Sequence, residues 1–148
     1  MDTKKIIEIM RYLTLHTPKM TDAKLMKMIS LSDKHSIQEC GSHISPELFF
    51  RINRDPLSSH ALEMVNNSDT DFLEYFHPPK KQKDKHDSAH LEVLSIELAH
   101  DCELVLVTLS ECEQNILDTI ISQFAHMSTY NIITYTPDRR NKKTDRPK

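Results

Sequence analysis

The sequence has one glycine, Gly41, in 148 residues. Phosphate-cradling loops and dinucleotide fingerprints need several glycines for close backbone approach, so neither can be written here. Long apolar runs are also missing. Nothing approaches the roughly 18 consecutive apolar residues of a membrane-spanning helix. At the N-terminus, Glu8 and Arg11 interrupt the apolar residues too early for a signal-peptide core, so a cytoplasmic protein with no membrane partner is expected. Cysteine is sparse and odd in number: Cys40, Cys102 and Cys112, with no Cys-x-x-Cys pair. In a reducing compartment these are expected as free thiols, core or near-core, behaving as small hydrophobes. Charge of one sign does not dominate, since the net charge is -3. From Asp138 onward six basic and two acidic side chains give a local +4, which leaves -7 on the body. A mildly acidic body lacks the basic stripe of a nucleic-acid binder, so nucleic acid is not an expected partner. Residues 139–148 read as a basic, disordered, solvated tail.

What is present fits one folded domain over residues 1–138. With 38% hydrophobic and 28% charged residues, the chain can bury a core without metal or disulfides. Ile6, Ile9, Met10 and Leu13 mark an amphipathic helix over about 3–16, stopped at Thr17-Pro18. A second helix is expected over about 22–39, capped by Thr21 or Asp22 and ended near Gly41. Residues 47–53 read as a strand, 59–67 as a helix with Ala61, Leu62 and Val65 inward, and 72–76 as a second strand. The stretch 80–88 has no apolar side chain and is expected to be a mobile polar loop, the centre of one spanning 78–90. Runs 91–96 and 103–108 suggest a hairpin, though 91–99 also suits a helix. Ser110 and Glu113 have the spacing of a capping box, ahead of a face formed by Ile116, Leu117, Ile120, Ile121 and Phe124. A last helix is expected over 128–135. The fold class is therefore α+β, mainly α-helical: five or six helices around one core with a small antiparallel sheet or hairpin.

Nine histidines invite a metal reading. The tightest cluster is His35, Cys40 and His43, with four and two intervening residues. It falls short of the full tetrahedral set of a structural zinc site, so no metal and no cofactor are expected. His86 and His90 have the spacing of a helical ligand pair but flank the polar stretch, and read as surface side chains. Cys102 and Cys112 need a base in reach to act as nucleophiles. His100 and His126 are candidates on paper, but no glycine-rich oxyanion loop accompanies them. Glu111 and Glu113 are explained by the positive end of a helix dipole. Asp33 and His35, at i and i+2 of a helix, face different ways and make no dyad.

Several blocks, in order, resemble the Panacea domain of the SocA-like antitoxin family. The family's Lys-Leu-x-Lys-Leu helix running into Leu-Ala-Asp and His-Leu is matched by Lys24-Leu25-Met26-Lys27-Met28-Ile29, then Leu31-Ser32-Asp33-Lys34-His35. Its Tyr-Gly break is matched by Cys40-Gly41. Leu48-Phe49-Phe50-Arg51 stands for its aromatic strand, and Arg54-Asp55-Pro56 for its Tyr-Gly-Pro turn. Leu109-Ser110-Glu111-Cys112-Glu113 matches its Leu-Ser-x-x-Glu helix opening. Ser128-Thr129-Tyr130 and Thr136-Pro137-Asp138 occupy the places of its final helix and tail. The likeness spans about 4–138. Arg54, Asp55 and the missing terminal histidine are departures that mark a divergent member.

The resemblance implies an antitoxin that neutralises a cognate toxin, encoded next to it, by direct protein–protein binding. No catalytic set transfers, so no enzyme activity is expected. A recognition surface of this kind is anchored by a few large side chains and an arginine. Phe49, Phe50, Arg51 and Arg54, at the family's turn, are the expected partner-binding residues, with at least one phenylalanine turned inward. Two alternatives stand beside this reading. One is an adaptor delivering a client to a protease, tethered through the tail or the 80–88 stretch. The other is a thiol- or metal-dependent hydrolase.

Overall fold

The computed structural model describes residues 3–44, 60–86, 89–99 and 104–135. Their arrangement is α+β and mainly helical, six helices with one two-stranded antiparallel sheet among the described residues. No helix among these residues is long and apolar enough to cross a membrane.

Helix α1 (Thr3–Leu15) buries Ile6, Ile9, Met10 and Leu13, the stripe its spacing predicts. The chain then turns through Lys19 at φ 54°. Helix α2 (Asp22–Cys40) begins where Thr21 accepts the Lys24 N–H and ends at Gly41. Gly41 adopts φ 82° and donates its N–H to the Ser36 oxygen, closing the left-handed cap. Helix α3 (His60–Asn67) buries Ala61, Met64 and Val65, whereas the expected inward Leu62 is half-buried. The expected strand 47–53 and the tail 139–148 lie outside the described residues.

Three expectations about extended structure are corrected. Residues 72–76 do not form a strand. Phe72 closes a one-turn helix, α4 (Thr70–Leu73), and the Phe76 N–H continues its i+4 pattern onto the Phe72 oxygen at 3.0 Å. That spacing puts both rings on one side, where they stack at 4.6 Å in the core. Burial of two large rings on one face outweighs their β-propensity. Phe76 contributes only an isolated bridge to Leu98.

Residues 80–86 of the polar stretch are not a loop either. Strand β1 (Lys80–His86) pairs antiparallel with β2 (Ala89–Ser95), Lys80 opposite Ser95 and His86 opposite Ala89. The hairpin thus joins 80–86 to 89–95, not 91–96 to 103–108, and residues 104–110 are outside any strand. Pairing satisfies the backbone whatever the side chains, and an edge strand rich in lysine tolerates water. Val93 and Ile96 supply the apolar anchor. Two backbone N–H groups stitch the hairpin to the body: Ile96 N–H donates to the Met20 main-chain oxygen, and Leu94 N–H to the Asp22 carboxylate.

Helix α5 (Glu111–Phe124) opens with the predicted capping box. Ser110 accepts the Glu113 N–H, and the Glu113 carboxylate accepts the Ser110 N–H. Helix α6 (Thr129–Ile133) is capped by Ser128. Leu25 and Met28 of α2, Leu13 of α1 and Leu117 of α5 belong to one core cluster, to which the first, second and fifth helices all contribute.

Helices α2 and α5 are joined at both ends, and therefore run antiparallel. Cys40, the last residue of α2, is disulfide-bonded to Cys112 in the first turn of α5, Cα to Cα 6.2 Å. At the other end Lys24 Nζ donates to the Ala125 oxygen. The expectation of free thiols is overturned for Cys40 and Cys112. Spacing along a sequence says nothing about which helix ends meet, and it is the antiparallel packing that brings these two together.

Candidate functional site

Of the residues named from sequence, those that are described do not come together. Phe49, Phe50, Arg51 and Arg54 lie outside the described residues, as do His100 and Cys102. The set His35, Cys40 and His43 is not assembled: Cys40 is in the disulfide, and His43 Nδ1 meets Asp33 Oδ2 at 2.7 Å. The described residues bring together no group of His, Cys, Asp and Glu with metal-holding geometry. Residues 86 and 90 stand on opposite strands of the hairpin, so their helical spacing is not realised.

Several resemblance positions have structural work instead. Asp33 is buried and takes the Ile44 N–H at 2.8 Å as well as His43, fixing the chain as it leaves α2. Lys24 is 3% exposed and binds the carbonyl end of α5, where a cation meets the negative end of the helix dipole. Glu113 adds an ion pair to Lys5 at 2.8 Å, tying α1 to the start of α5.

A groove on the outer side of α1 is the best-built candidate surface among the described residues. It encloses about 510 Å³ between α1, the end of α4 and residues 105–108. Its construction starts from Glu8, a buried acid of α1. The Glu8 carboxylate accepts the N–H groups of Val107, Thr108 and Leu109 at 3.0, 3.1 and 3.3 Å. A carboxylate gathering successive amides holds that segment in one conformation.

The segment alternates. Leu104 and Leu106 pack against the core, while Val105 and Val107 are 67% and 80% exposed. Opposite them Arg11 lies over the Tyr75 ring, 4.1 Å from its centroid. Lys4 and Arg11 on one side and Asp71 and Glu74 on the other give the rim both signs of charge. An arginine and an aromatic ring are the residue types that anchor protein contacts, and the branched aliphatics standing in water beside them add exposed apolar surface. Nothing in the arrangement presents a nucleophile with a base.

Sequence reasoning missed this groove. The run 103–108 suggests a hairpin strand by its residue types, and that reading carries no sign of an exposed apolar face. Glu8 carried a signal only as a single acid among apolar neighbours.

The family model for the SocA-like antitoxin, Panacea domain, matches residues 25–141. That is most of the chain, though it begins inside α2 and leaves α1 outside. No curated protein and no solved structure gives a significant match. The chain belongs to the SocA-like Panacea antitoxin family.

Proposed function

We propose that the chain is an antitoxin that neutralises a cognate toxin by direct binding, and that it works without catalysis. The observation that carries this reading is the family match over residues 25–141. The groove gives it a physical basis. Val107 is held outward by a clamp on its own backbone N–H, with the exposed Val105 two residues before it, so this apolar surface is presented in advance rather than ordered on contact. We place the partner on this groove, with Phe49, Phe50, Arg51 and Arg54 as a second contact region.

Co-expression with the product of the adjacent reading frame tests the role. Cells are expected to stop growing with that product alone and to grow when this chain is present. A product harmless alone, or one still toxic beside this chain, overturns the reading. Toxin abundance should stay constant during rescue; a fall that depends on a host protease would favour the adaptor role instead.

A further inference from the structure

We propose that the Cys40–Cys112 disulfide is a redox-controlled fastener that releases one end of the α2–α5 pair when a dithiol reduces it. It sits at the very end of the pair, with Cys112 exposed and Cys40 half-buried, so a thiolate can reach it. A cystine sealed in a core would be inert.

The two ends of the pair are held differently. At Lys24 the contact is a buried hydrogen bond to Ala125, backed by Leu25, Met28, Leu117 and Phe124 in the core. Reduction leaves that end intact. At the other end Cys40 is followed by Gly41 and the turn that Asp33 holds. Cys112 lies two residues beyond Ser110, directly after the segment that Glu8 clamps. The released elements are therefore the last turn of α2 and the first turn of α5, while Glu8 keeps its hold on residues 107–109.

The chemistry balances. A thiolate of the dithiol attacks the Cys40 sulfur and the Cys112 thiolate leaves. That thiolate leaves in the first turn of α5, at the positive end of the helix dipole, which favours it. The reductant's second thiol then attacks the mixed disulfide, frees Cys40 and closes its own disulfide. Two electrons and two protons pass from the dithiol to the protein.

The fastener does not depend on the toxin reading, and its test needs no partner. Full-length protein is oxidised, mapped by non-reducing peptide mass spectrometry, and compared with and without dithiothreitol, alongside Cys102→Ser and the double variant Cys40→Ser/Cys112→Ser. Cys40 is expected joined to Cys112. Reduction should lower Tm by about 10 °C in the native chain and in Cys102→Ser. The double variant should melt at the reduced value and ignore the reductant. Amide exchange should rise at 36–41 and 110–116 while 24–30, 107–109 and 120–125 stay protected. Equal melting in both redox states, an exchange increase spread over the whole chain, or a different cysteine pairing overturns the proposal.

Discussion

Lys24 Nζ donates to the main-chain oxygen of Ala125 at 2.6 Å, from a side chain almost wholly removed from water. A buried ammonium persists when its protons find acceptors, and here the acceptor lies at the negative end of α5. Thr21, which caps α2 three residues earlier, bonds Thr129 at 2.8 Å in the same region. The start of α2 is thus the junction at which α5 ends and α6 begins.

Lys24→Met keeps the aliphatic stem and removes the donor. The Ala125 oxygen loses its charged partner, which should cost about 1–3 kcal/mol. Urea titration is expected to show a lower midpoint with an unchanged slope. An unchanged midpoint would mean that the bond contributes nothing net.

Glu8→Ala deprives the amides of Val107, Thr108 and Leu109 of their acceptor. Exchange at these three positions should rise well above that of the neighbouring helices. Global stability should fall by about 1–3 kcal/mol. If the three amides stay as protected as in the native chain, the clamp is not what fixes the segment.

Tyr12 donates to Asp118, and burial together with that bond pushes its hydroxyl above the usual tyrosine range. The fold holds this proton more tightly than the unfolded chain does. Its contribution is therefore full below about pH 10 and is lost as pH rises through the folded value. Burial pushes Lys27 the other way, so the comparison must isolate Tyr12. Tyr12→Phe is expected to be less stable than the native chain at neutral pH, and the gap should narrow above about pH 10. A gap independent of pH would remove the Tyr12–Asp118 bond as its source.

The Cys40–Cys112 link closes a loop spanning 72 positions. A constraint of that length on the unfolded chain corresponds to about 4 kcal/mol. Cys40→Ser/Cys112→Ser should lose about that much stability in denaturant titration under oxidising conditions, and nothing further under reducing ones.

Helices were legible wherever an apolar stripe met a cap. Ser110 with Glu113, Thr21 with Gly41, and the Ile6-to-Leu13 stripe each give both a boundary and a buried face. What failed was anything set by pairing between distant segments. Lys80 to His86 carries no apolar residue, and only its register against Ala89–Ser95 makes it a strand. Phe72 and Phe76 favour strand by type, yet the space between the helices stacks them on one turn. Cys40 and Cys112 are ordinary in sequence and joined only because α2 and α5 are antiparallel. The groove was half visible: the alternation at Leu104–Val107 was present, but its outward face was not recognised as the surface of interest.

The most direct measurement is calorimetric titration of the purified chain with the adjacent reading frame's product, native chain against Val105→Asp/Val107→Asp. Both substitutions fall on outward, exposed positions and should leave Tm unchanged. The account predicts saturable binding by the native chain and affinity reduced by at least about tenfold in the variant. Absence of binding by the native chain would contradict the central claim of direct neutralisation, and equal affinity in the two proteins would contradict the placement of the partner on the Val105–Val107 groove.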